Sequence, residues 1–195
     1  MSKEPAFFFT WSEDRQFKRA EHIPCKDLKK GIELSLANAG RLTSDAMLLD
    51  EKKRTASAVV LLIAAWEEIG KAVLLLKHWI NHEDVRGRAW KRIFRSHSAK
   101  QTACFDSGDL LWGNKSDAYQ RENEELRRKL KSSMRWMKDV GLYVEWTGEE
   151  KGWLCPSNAG VAIDIYYLSS AVAGHLDAVT KRVANILSGG GCKLT

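Results

Sequence analysis

The stretch from Ala58 to Leu76, AVVLLIAAWEEIGKAVLLL, limits what this chain can fold into more than any other. It is apolar on every side except for a polar knot of Glu67, Glu68, Gly70 and Lys71. A helix that is hydrophobic all round belongs inside a protein core or a membrane. Charges near the middle of the run argue against a membrane, because each costs roughly 2.5–3.5 kcal/mol at the bilayer centre. The stretch therefore reads as the central helix of a soluble bundle with a charge cluster inside it. Buried charge is costly unless paired, so the knot needs partners from elsewhere in the chain.

The rest of the sequence supplies helices to surround it. From Leu28 the apolar or small positions Leu28, Ile32, Ser35, Ala39, Leu42, Ala46 and Leu49 alternate steps of four and three, which is one face of a helix. The polar Glu51–Arg54 then turns the chain into a second helix, about Thr55 to Asn81. Asn81–Asp84 breaks the apolar run, and Asp84 suits the N-cap of a third helix, about Val85 to Cys104. Asp106 to Asp117 is rich in turn formers and reads as a loop. A fourth helix, about Asp117 to Val140, ends at Gly141. Leu142 to Pro156 alternates briefly and suits a short strand or hairpin around Gly148. Ser157 caps a last helix with a stripe at Val161, Ile165, Leu168, Val172, His175, Val179, Val183 and Ile186. The expected fold is thus all-α: a bundle of about five helices over residues 25–188, with an irregular or β-hairpin insertion before the last helix. Residues 1–24 read as an arm docking Phe7, Phe8, Phe9 and Trp11 on the bundle, and 189–195 as a loose tail.

A chain of 195 residues with 44% hydrophobic and 29% charged residues is sized and composed for one globular domain. Cys25, Cys104, Cys155 and Cys192 are scattered without a CxxC pair, which favours reduced thiols over a disulfide framework or a zinc site. The first residues, MSKEPAFFFTWSED, lack the apolar core of a signal peptide, so a cytoplasmic location is expected. The net charge of +6 points to an anionic partner, nucleic acid above all.

That charge is concentrated. Between Val85 and Phe105 there is no acid, but there are Arg86, Arg88, Lys91, Arg92, Arg95 and Lys100. Trp90 and Phe94 lie between them. Basic groups for phosphates beside aromatics for base stacking suit single-stranded RNA; the plainer alternative is a solvated helix face whose aromatics point into the core. If the second and third helices form a hairpin turning near His82–Glu83, Glu68 and His97 come level, with Lys100 and Arg92 within about two turns of the knot. Arg92 and His97 have the form R-x4-H. An imidazole moves a proton near neutral pH and a guanidinium grips a phosphate, which together suit metal-free RNA cleavage.

Three motifs in order resemble the AbiV family of abortive-infection proteins. The first is LTSDAMLLDEKKRTASAVVLLIAAWEEIGKAVLLL, with its A-x-E-E-x-G-K-A core; the second is Phe94-Arg95-Ser96-His97-Ser98-Ala99-Lys100; the third is Gly141-Leu142-Tyr143-Val144-Glu145 with Pro156. The resemblance covers about Leu42 to Leu187. AbiV proteins are similar to the wider HEPN class of helical domains, so it implies a homodimer, no cofactor, and a metal-independent RNase with an R-x4–6-H motif acting against phage. Carried over, Arg92 and His97 match the catalytic pair, with Glu67, Glu68, Lys71 and Lys100 in the surrounding cluster. On the nuclease reading, His97 is the general acid and base, Arg92 the phosphate clamp, and Glu68 with Lys71 orients them. Ile93 departs from the pattern, where HEPN nucleases commonly show a polar residue.

Other readings stay open at this point. The knot also suits a structural salt bridge that fixes helix register. A protein of the same fold without catalysis would act by binding RNA or a phage protein. His78 and His82 have the i, i+4 spacing of a helical metal pair, but no further ligand sits at recognisable spacing. His175 falls on an apolar stripe and reads as a core residue, and Asp45 as facing the knot or capping a neighbour. Gly189–Gly191 lacks the flanking strand and Lys-Ser/Thr of a phosphate loop.

Overall fold

The computed structural model describes residues 21–112, 133–134, 137–139, 141–142, 145–146, 153–154 and 165–188. The order begins with β1 (His22–Ile23), α1 (Cys25–Glu51), α2 (Thr55–Ile80), β2 (Val85–Arg86), α3 (Gly87–Phe94) and α4 (His97–Trp112). Helical residues 133–134, 137–139 and 141–142, here α5, come next. Then follow β3 (Glu145–Trp146), β4 (Trp153–Leu154) and α6 (Ile165–Ser188). The architecture is the expected all-α bundle, with strands, among the described residues, confined to two antiparallel ribbons, β1–β2 and β3–β4. The second ribbon, pairing Trp146 with Trp153, is the expected hairpin.

α2 is the core element because nearly all its positions are apolar. Its buried residues run from Ala58 to Trp79 around every side of the helix. α1 folds back along it after the turn at Lys52–Arg54, where Lys53 takes a left-handed φ of 56°, and Thr55 Oγ1 donates to Asp50 Oδ1 at 3.0 Å across the turn. The α1 stripe is buried as its spacing predicts, at Leu28, Ile32, Ser35, Ala39 and Ala46. α6 buries Leu168, Val172, Val179 and Val183. Each fully buried Leu, Ile or Val contributes about 1.5–3 kcal/mol relative to exposure, so these stripes fix which faces meet. No helix among the described residues is long and apolar enough to cross a membrane; the knot interrupts α2.

The expected third helix is two helices. Val85–Arg86 is extended and pairs with His22–Ile23, so the end of the N-terminal arm is strand rather than irregular. α3 stops at Phe94, and α4 begins anew at His97. Ser96 makes the break: its hydroxyl accepts from the Ala99 N–H at 3.2 Å, an N-cap that satisfies a donor a continuous helix would not leave open. α4 also runs on through the expected loop as far as Trp112. There Ser107, 1% exposed, donates its hydroxyl to the Cys104 carbonyl at 2.6 Å, so this turn former is satisfied within the helix.

Two further expectations change with packing. Asp84 does not cap α3, whose N-cap residue is Arg86. Its carboxylate instead accepts from the Cys25 backbone N–H at 2.9 Å, and from His22 and Arg86. The hydrogen bonds from His22, Cys25 and Arg86 hold its carboxyl well below the usual carboxylate range. It caps the first helix from across the structure because Pro24, the N-cap residue, has no side chain able to do so. Asp45 faces neither the knot nor a helix end; it pairs with Arg41 at 2.6 Å on its own helix. Gly141 lies within helical backbone rather than ending it, and a Cβ there would meet Val60 Cγ2 at 2.5 Å. It is small because α5 presses on α2. The aromatics of the arm, the cap at Ser157, the first part of the fourth helix and the tail lie outside the described residues.

At Gly70 two helices approach closely. A Cβ there would lie 1.8 Å from the Lys100 carbonyl oxygen and 2.6 Å from its carbon. On an exposed helix Gly→Ala gains about 1 kcal/mol. Here the sign reverses, since the obstacle is backbone. Gly70→Ala is expected to destabilise the protein by about 3 kcal/mol or more, measured as the loss in urea unfolding free energy.

Candidate functional site

The close approach at Gly70 brings α4 against the α2 face that carries Glu67, one turn earlier. Because Ser96 starts α4, His97, Lys100 and Gln101 fall in its first turns at spacings of three and four, on one face. All three turn to Glu67. His97 Nδ1 lies 2.6 Å from Oε2, Gln101 Nε2 donates to Oε1 at 3.1 Å, and Lys100 Nζ lies 3.6 Å from Oε2. A fourth partner comes from α5: Lys138 Nζ donates to Oε1 at 3.3 Å and to Oε2 at 3.4 Å, and lies 3.3 Å from His97 Nδ1. The hairpin estimate is thus off by a single residue, with Glu67 rather than Glu68 meeting His97.

The two ends of this contact differ in exposure. The Glu67 side chain is 6% exposed and that of His97 61%. A sealed carboxylate holds one edge of a ring that is open to solvent. At 2.6 Å from a carboxylate, Nδ1 carries a proton and donates it. That leaves Nε2, on the opposite edge, to exchange a proton with a bound molecule. Burial pushes the Glu67 carboxyl up, but the hydrogen bond from His97 and the charges of Lys138, His97 and Lys100 outweigh it, leaving it below its ordinary value. Burial pushes the Lys100 ammonium down, and Glu67 only partly restores it.

The remaining expected site residues divide. Glu68 and Lys71 pair with each other at 2.5 Å, half-buried, and Lys71 lies 5.9 Å from the centre of the Phe94 ring. They are neighbours of the Glu67 cluster, and their described contacts are with each other and with Phe94 rather than with His97. Arg92 is exposed on α3, across the break from His97, and is not among the described partners of Glu67. Arg86, Arg88, Lys91 and Arg95 are likewise exposed. Arg86 is paired with Asp84 at 2.6 Å and Arg95 with Glu21 at 3.5 Å. Trp90, 5% exposed, is packed into the core with Phe94 at 5.2 Å between ring centres, so base stacking on Trp90 is replaced by the plainer alternative. Ile93, 1% exposed, is apolar because it anchors α3 to the core.

Among the described residues no group of three or more His, Cys, Asp or Glu is placed to hold a metal. His78 sits 3.1 Å from Glu83. His175 stacks on Trp66 with ring centres 5.0 Å apart. Burial pushes the Cys104 thiol well up, which makes it unreactive. Gln101 and Lys138 were not found from the sequence. Gln101 was within reach of it, four residues after His97 on the same face. Lys138 was not, since nothing in its local spacing ties it to Glu67.

Glu67 makes the cluster acid-sensitive. A carboxyl held below its ordinary value, near 4.5, contributes stability that is complete above that value and is lost as pH falls through the lowered one. Wild-type unfolding free energy should therefore fall below about pH 4.5. Glu67→Gln, which leaves Lys100 and Lys138 facing no charge, should cost about 3–5 kcal/mol at neutral pH and flatten that dependence. Urea unfolding across the acid range checks both.

No curated protein and no solved structure matches the chain. A family model does: HEPN_AbiV, described as AbiV, matches residues 27–172, well over half of the sequence. That span runs from the first turn of α1 into α6 and holds every member of the Glu67 cluster. The chain belongs to the AbiV family of HEPN-type abortive-infection proteins.

Proposed function

We propose that this protein is a metal-independent endoribonuclease that halts translation or growth on phage infection, with His97 as its proton-transfer group. The observation that carries the reading is the exposed His97 ring held at Nδ1 by the buried Glu67 carboxylate, at the start of α4 and just beyond the basic α3, whose Arg and Lys side chains face solvent. In the proposed reaction the RNA 2′-oxygen attacks the adjacent phosphorus and its proton passes to His97 Nε2. The P–O5′ bond then breaks and Nε2–H protonates the leaving 5′-oxygen, leaving a 2′,3′-cyclic phosphate and a 5′-hydroxyl. Arg92 grips a phosphate, Arg86, Arg88, Lys91 and Arg95 draw in the strand, and Glu67 orients the imidazole, a task the sequence alone suggests for Glu68 with Lys71. The protein acts as a homodimer, with a phage-encoded protein as a second partner class.

A second reading is a non-catalytic binding module of the same fold. Arg92, set apart from the His97–Glu67 contact on a separate helix, favours it. RNA incubated with the wild type should yield cyclic-phosphate ends, in chelator as well as in buffer. His97→Ala should slow cleavage by about a hundredfold or more, and Arg92→Ala should weaken RNA binding. Equal product from wild type and His97→Ala, or none from either across varied RNAs, leaves the binding module.

A further inference from the structure

Two ammonium groups, Lys100 and Lys138, face the single Glu67 carboxylate, while Glu68 and Lys71 neutralise each other beside it. Among the described residues the cluster is left with positive charge in excess next to an exposed imidazole. The excess is felt inside it, since Lys138 and Lys71 both help to push the Lys100 ammonium down. The two lysines are not equivalent. The Lys100 side chain is 8% exposed and that of Lys138 23%. Lys100 is therefore fixed as the permanent counter-ion, whereas Lys138 reaches solvent. Its bonds to Glu67, at 3.3 and 3.4 Å, are longer than those of His97 and Gln101 at 2.6 and 3.1 Å, and shorter than the 3.6 Å to Lys100, so it is exposure and not distance that sets the two lysines apart. If Lys138 turns away, Glu67 keeps its hydrogen bonds to His97 and Gln101, with the Lys100 charge 3.6 Å off.

We propose that Lys138 is the ammonium that takes the phosphodiester beside His97, so that the phosphate grip at the reacting group comes from α5 rather than from the Arg92 of the R-x4-H pattern. The proposal rests on the RNA reading of the site and deepens it. The Lys138 ammonium rests 3.3 Å from His97 Nδ1, so a phosphate it meets on turning from Glu67 toward solvent lies beside the same imidazole. Arg92 then serves the flanking strand, as its exposed position on α3 suits.

The test uses full-length protein and a mixed-sequence 2′-O-methyl oligoribonucleotide, which binds like RNA but has no free hydroxyl to attack. Affinity is measured against salt for wild type, Lys138→Gln, Lys138→Arg and Lys181→Gln, the last a lysine on α6 paired with Asp177. Loss of one phosphate contact on a single strand lowers the salt slope by about 0.7 and weakens binding about fivefold at 0.1 M salt. Lys138→Gln should show both changes, while Lys138→Arg and Lys181→Gln keep the wild-type slope. On the wild type, the oligonucleotide should also shield Lys138 from reductive methylation, read by mass spectrometry, which decides the matter if Lys138→Gln does not fold. An unchanged slope in folded Lys138→Gln, or Lys138 methylated equally with and without the oligonucleotide, overturns the proposal. Because the probe cannot be cleaved, the outcome is independent of catalysis. A lost contact with no cleavage of ordinary RNA removes the nuclease reading and leaves the phosphate site, whereas cleavage with an unchanged slope does the reverse.

Discussion

A carboxylate buried in the middle of an apolar helix is the constraint around which this structure is arranged. Glu67 cannot stay ionised at 6% exposure without donors, and Lys71, four residues on along its own helix, is paired with Glu68. The donors come from α4 and α5, through His97, Gln101, Lys100 and Lys138. The demand for satisfaction thus ties three segments that hydrophobic stripes alone would hold only by shape. Apolar faces decide which helices touch; the carboxylate decides where along their length they stop.

The same constraint explains why the cluster has a functional appearance. A purely structural pair would be sealed at both ends, like Ser107 on the Cys104 carbonyl. Here one end is closed and the other open, with lysines in excess on the closed side. Such asymmetry is what holding an imidazole for use requires. The basic α3 adds charge beside it, while Trp90 and Ile93 secure that helix to the core and so keep the charged face outward.

Much of this was legible in the residues. The all-round apolarity of Ala58–Leu76 placed α2 at the centre, the four-and-three spacing gave the buried faces of α1 and α6, and equidistance from a turn brought His97 to within one residue of its true partner. What escaped was set by single polar atoms. A serine hydroxyl at Ser96 splits one basic segment into two helices, which periodicity does not register. Another at Ser107 lets a turn-rich stretch continue as helix. Asp84 looked like a local cap but serves a helix far back in the chain, because Pro24 leaves that end without one. Lys138 joins the site purely through tertiary packing of α5, and no spacing within its own segment announces it.

The position of Gly70 one turn after Glu67 carries a last implication. The residue that bears the charge and the gap that admits its partners occupy the same side of α2, so rotating that helix by one residue, about 100°, withdraws both together. A mispacked bundle would therefore present neither the carboxylate nor the opening. Native packing of the central helix and completion of the polar cluster go together.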